Sequence, residues 1–129
     1  MNELDNLTLN KSGFAYQNLL AQDRWETWTP TYVFTTASGL TVTGRFKVLG
    51  KQCFWQIKST GTSLATTAGT DYIDLPIAAQ GLAGVGEMSN DTTNISVGVG
   101  HVDVATSRFY TPTQGASSND FTFAGWHEV

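Results

Sequence analysis

The chain has 129 residues, one domain's worth, and its 40% hydrophobic and 12% aromatic content gives ample apolar area to bury, which argues against a disordered chain. A net charge of −4 without any Lys/Arg run argues against a phosphate-neutralising nucleic-acid surface. The single cysteine, Cys53, rules out an intrachain disulfide, and no apolar run approaches the ~18–20 residues of a membrane helix.

In chain order, the first stretch differs from the rest. Residues 1–27 contain no proline and only Gly13, and the run from Phe14 to Trp25 is helix-compatible, with Ser12 as N-cap. Phe14, Leu20, Ala21 and Trp25 would form its apolar side. A helix this short is marginal alone because nucleation is costly, so it needs a surface to dock on. Leu4, Leu7 and Leu9 form a leading arm with the same need. The expectation is an anchoring or oligomerisation arm over residues 1–27. Its start, Met1 to Asp5, lacks the basic and apolar pattern of a secretory signal, which predicts synthesis and folding in a cytoplasm.

From Trp28 to Val129 the pattern is β. Strands are expected at about 30–36, 40–49, 52–60, 71–75, 83–88, 94–104, 107–111 and 121–129, separated by Gly- and Ser/Asn-rich turns. The clearest is Leu40 to Val48: Leu40, Val42, Phe46 and Val48 fall on one side, Thr41, Thr43, Arg45 and Lys47 on the other. A tight hairpin at Leu49-Gly50-Lys51-Gln52 leads into a strand with Cys53, Trp55 and Ile57 inward. Phe54 points outward with Gln56 and Lys58, beneath the arm or in a subunit interface. Cys53 itself reads as buried and inert. Near 94–104, Ile95, Val97 and Val99 share one phase, and Val102 and Val104 the other. A bulge or bend at Gly100-His101 is therefore expected. Many short strands with polar turns predict an all-β, jelly-roll-like β-sandwich.

Chemistry is sparse. His101 and His127 lie in separate predicted strands, and Asp71 and Asp74 lack a calcium-loop pattern, so no metal or cofactor site is expected. There is no Gly-x-Ser-x-Gly elbow; Glu87, Asp91 and Asp103 are the only carboxylates suggested for glycoside hydrolysis, and no catalytic residue is assigned. Trp25, Trp28, Tyr32, Phe109, Tyr110 and Trp126 could include a sugar-stacking platform, or simply fill the core and the subunit contacts. A carbohydrate-binding β-sandwich using such platforms is thus the alternative reading.

Several segments carry a resemblance: Trp28-Thr29-Pro30-Thr31, the stretch Gly44 to Lys51, Phe54-Trp55-Gln56-Ile57, the stretch Ile73 to Ala79, and the closing Gly125-Trp126-His127-Glu128-Val129. In order and spacing they resemble a module frequent in tailed-phage and prophage virion proteins, often the C-terminal knob of tail fibres. The resemblance covers about residues 28–129. It implies a compact, non-enzymatic β-sandwich, commonly a homotrimer, displayed on a particle, and it carries over no binding residues. With only a short stretch before the knob, a head fibre, decoration knob or small tail appendage fits better than a long fibre. The expectation is therefore a virion surface protein made in the host cytoplasm, held to capsid or tail proteins by its arm, with host-surface glycan as a further partner. Leu4, Leu7, Phe14, Leu20, Trp25 and Phe54 are the interface candidates; nucleic acid and membrane insertion are not expected.

Overall fold

The computed structural model describes residues 24–81 and 84–129. It is all-β, with twelve strands: β1 (Glu26–Trp28), β2 (Tyr32–Val33), β3 (Thr36–Ser38), β4 (Thr41–Leu49), β5 (Gln52–Thr60), β6 (Ser63–Thr66), β7 (Tyr72–Asp74), β8 (Gly84–Asn90), β9 (Ile95–Asp103), β10 (Arg108–Tyr110), β11 (Gln114–Ser117) and β12 (Phe121–Glu128). Nine form one antiparallel sheet in the order β1-β4-β5-β12-β8-β9-β10-β7-β2, and a second sheet runs β11-β6-β3. The arm residues Leu4 and Leu7 and the expected helix from Phe14 to residue 23, with Leu20, lie outside the described residues; its expected end, Arg24 and Trp25, is not helical and leads directly into β1.

The large sheet is curled. Phe34, just past β2, stacks on Phe123 of β12 at 6.0 Å between ring centroids. Those strands are five places apart in the sheet order, a gap of ~24 Å if the sheet were flat. The concave side therefore closes around one core, built from Cys53, Trp55 and Ile57 of β5, Phe121 and Phe123 of β12, Met88, Val102, Phe109 and Ile73. The result is the sandwich-like all-β fold expected from the alternation.

Its centre depends on three glycines in register. Gly125 of β12 faces Gly86 of β8, which faces Gly100 of β9. Trp55 comes from one side of this trough and Phe109 from the other, and their rings meet 4.9 Å apart. A Cβ on Gly86 would stand 2.5 Å from Trp55 and 2.6 Å from Phe109. The glycines are there because two large rings, tilted 55° to each other, occupy the space where side chains would otherwise stand.

Elsewhere the β4–β5 hairpin forms as expected, with Leu49 opposite Gln52. Gly50 has φ +61° at the first loop position, where a right-twisted two-residue hairpin needs a positive value. Other expectations are corrected. The stretch 30–36 is not one strand, because the chain leaves the large sheet after Val33 and enters the small one at Thr36. Asp71 holds that crossover: its Oδ2 accepts from Thr35 N–H at 2.6 Å, Thr35 Oγ1 at 2.6 Å and Thr67 N–H at 2.9 Å. β6 and β11 lie outside the expected strands, yet both pair in the small sheet and Leu64 of β6 is fully buried. The bulge falls at Val97 rather than Gly100-His101: Met88 pairs with Gly98 and Ser89 with Ser96, leaving Val97 extra. Val97 packs on the core, while Ile95 and Val99 are 64% and 67% exposed. The ring of Phe109 needs Gly98–Val102 in a phase that sets Gly100 beneath it, so the slip must come earlier.

Two buried ionisable groups shape the response to acid. His127 is fully buried and its Nε2 donates to the Ile77 carbonyl at 2.8 Å, while Nδ1 has no partner among the described residues. Burial lowers its pKa below 6.5, and the Ile77 contact only partly offsets this. Burial pushes Asp71 up, but the hydrogen bonds from Thr35, Thr67 and Thr70 outweigh it and hold the carboxyl below 3.8. Burial also drives the Cys53 thiol up to about 11, which suits an inert core residue.

Replacing Gly86 by Ala is expected to destabilise the fold by about 1–3 kcal/mol or more through overpacking, measured by urea denaturation. Stability is expected to be flat above the ordinary histidine value of 6.5 and to fall below it, because only the unfolded chain then takes up the His127 proton. A second loss comes as pH drops through and below 3.8, where the unfolded state protonates Asp71 first. A His127→Gln variant should lose the first decline in a pH series of denaturation midpoints.

Candidate functional site: the outer face of the large sheet

Alternation along each strand places the side chains next to the core residues on the convex face. Reading across the register, Lys47 faces Phe54, Phe54 faces Trp126, Trp126 faces Val85, and Val85 faces His101. The line continues through Tyr110 to Tyr72 and ends beside Val33 on β2. A neighbouring line runs Arg45, Gln56, Ala124, Glu87 and Val99. The convex face thus carries a mainly aromatic and aliphatic stripe across eight strands, bordered by polar residues. Phe54, Trp126, Tyr110 and Tyr72 are half-buried within it, while Val85 and Val99 are 40% and 67% exposed.

At one end the stripe meets Trp25. Arg45 and Lys47 reach over its indole, 4.8 and 5.1 Å from the centroid, and Arg45 also donates to Gln56 Oε1 at 2.8 and 2.6 Å. Trp25, Lys47, Leu49, Phe54 and Ala124 enclose a shallow groove of about 390 Å³. Just beyond Trp25, β1 pairs with β4, and Trp28 lies over Gly44, where a Cβ would come within 2.5 Å of the indole. The sheet therefore starts inside the stretch read as the arm, and Glu26 and Thr27 belong to it.

At the other end, Tyr110 and Tyr72 lie 5.7 Å apart. Arg108 sits over Tyr72 at 3.9 Å and pairs with Asp74 at 3.4 Å. Beside Tyr110 opens a cleft of about 470 Å³ lined by Ala68, Gly69, Val99, His101, Asp103 and Pro112.

Of the sequence-derived candidates, Phe54 and Trp25 come together around one groove. The six aromatics suggested as a sugar platform divide: Phe109 is buried and Trp28 and Tyr32 pack on the core, whereas Trp25, Tyr110 and Trp126 belong to the outer face. Tyr72, Val85 and Val99 were missed, because membership of the stripe depends on register rather than on residue type. The carboxylates are dispersed. Asp91 accepts from Thr122 Oγ1 at 2.6 Å and lies 3.9 Å from Lys58, Asp103 caps the β9–β10 turn, and Glu87 stands exposed on β8. Among the described residues, no three His, Cys, Asp or Glu side chains group as metal ligands would.

No protein family, curated protein or solved structure matches the chain.

Removing residues 1–23 is expected to leave the β-sheet signal and the denaturation midpoint nearly intact. Removing residues 1–28 also takes away β1 and the Trp28 that fills the space above Gly44. By analogy with loss of a large packed aromatic this should cost about 3–5 kcal/mol, read from the same denaturation curves.

Proposed function

We propose that this chain is a non-enzymatic contact module of the kind displayed on virus particles, self-associating through the Phe54–Trp126 part of its convex face. The carrying observation is the stripe itself. A sheet face meant only for water would continue the Thr, Lys and Gln pattern of the bordering residues. Here the concave side already holds a complete core, yet the convex side still presents Phe54, Trp126 and Val85 in one line. Such an apolar surface is stable against indiscriminate aggregation when a defined partner covers it. The resemblance to phage knob modules supplies the expected form of association, a homotrimer. On that reading the segment before β1 serves as the attachment to capsid or tail proteins, and the knob is presented outward.

The charge pattern supports association between copies. Arg45, Lys47 and Lys58 lie on the β4–β5 side of the face, and Glu87 on β8. A head-to-tail ring would bring unlike charges together at the rim, with the apolar stripe inside. The low charge content of the whole chain, 14%, suits the same arrangement.

Analytical ultracentrifugation is expected to show a trimer for the intact chain. Phe54→Lys and Trp126→Lys should shift the mass towards that of the single chain while leaving the β spectrum unchanged. A wild-type monomer, or variants that sediment like the wild type, would remove this face from the interface.

A further inference from the structure

The far end of the convex face, away from Phe54, has features of a different kind. The cleft beside Tyr110 has one wall from the β9–β10 outer face and one from the turn at Thr67–Thr70. Both walls are braced. Thr67 N–H is held by the Asp71 carboxylate at 2.9 Å, Ala68 N–H donates to Thr113 Oγ1 at 3.0 Å, and Asp71 N–H returns to the Thr67 carbonyl at 3.1 Å. On the opposite wall, β10 is paired on both edges, to β9 and β7. The volume of about 470 Å³ falls within the roughly 300–1,000 Å³ of small-molecule sites.

The chemistry of the lining narrows the ligand. Arg108 covers the Tyr72 ring, leaving Tyr110 as the aromatic that faces the cleft. Val99, Ala68 and Pro112 add apolar surface that suits C–H groups. His101 is exposed at the rim and can donate or accept. Asp103 is fixed by Ala105 N–H at 3.2 Å to Oδ1 and by Thr106 Oγ1 at 2.6 Å to Oδ2. Each carboxylate oxygen keeps further lone-pair capacity, so Asp103 is oriented and still able to accept hydroxyl donors. A ring platform, an oriented acceptor and an imidazole around an open slot match a molecule with one apolar face and an edge of hydroxyls. The Asp103 charge disfavours anionic ligands.

We infer that the cleft between the Thr67–Thr70 turn and the outer face of β9 and β10 binds a neutral saccharide. Tyr110 is its stacking platform, and Asp103 and His101 are its hydrogen-bonding rim. The site is open at the solvent side, which admits a unit within a longer glycan as well as a chain end. A shallow site of this kind should bind in the range of about 1 mM. The inference does not rest on self-association, because the cleft is complete within one chain.

The test is an amide-resolved NMR titration of the full chain with neutral oligosaccharides of glucose, mannose, galactose, rhamnose and N-acetylglucosamine, each to ~20 mM, well above that affinity. At least one sugar should shift the signals of Gly69, Val99, His101, Asp103 and Tyr110 together. Tyr110→Ala and, separately, the milder His101→Ala should each weaken that binding about tenfold or more. Ile95→Ser, at the other end of β9, should bind as the wild type does. Absence of shifts with every sugar, shifts centred elsewhere, or unchanged binding by both cleft variants would overturn the assignment. None of these outcomes bears on the mass measurement that tests self-association.

Discussion

Two aromatic rings packed over a transverse row of glycines set the form of this protein. Trp55 and Phe109 can meet above β8 only because Gly125, Gly86 and Gly100 leave the floor bare. That single arrangement explains several others. It places the β9 bulge at Val97, so that Gly100 rather than a neighbour faces inward. It also draws the ring from β10 onto the centre of the sheet, helping to curl a nine-stranded array that would otherwise leave both faces wet. Close packing of large flat groups tolerates little change in volume, and the centre of the domain is accordingly rigid.

The convex face follows from the same register. With Gly125 and His127 turned inward, Trp126 must turn outward; with Gly100 and Val102 inward, His101 must face out. The two ends of that face then differ in character. Near β1 it is apolar with cations gathered on Trp25, a composition fitting contact with protein. Near β10 it is a braced cleft mixing one phenol ring, a carboxylate and an imidazole, a composition fitting a small polar ligand. One sheet can thus carry two kinds of surface separated by the width of a few strands.

Much of the architecture was legible in the sequence where alternation was clean. β4 and β5 declare themselves by residues such as Val42, Trp55 and Ile57, and Gly50 marks their turn. β6 and β11 did not, since Ser63-Leu64-Ala65-Thr66 and Gln114-Gly115-Ala116-Ser117 hold mostly residues with turn-like or weak β preference. Their strand state comes from pairing, β6 with β11 on one edge and with β3 on the other. The inner glycines look like chain punctuation until register aligns them. Phe54 was readable as outward from its own strand alone, but Tyr72 and Val85 were not recognisable as its companions. A stripe crossing eight strands is a property of pairing, and local pattern does not encode which strand lies beside which.

The position of β12 has a consequence for how the protein comes into being. It lies between β5 and β8, joining the two halves of the large sheet, although it is the last of the twelve strands in chain order. Until a ribosome has delivered it, the earlier hairpins expose raw edges and the Trp55 ring has no floor beneath it. Folding must therefore wait for the end of translation of this domain, and then close contacts between distant parts of the chain, which makes it slow by the standards of its size.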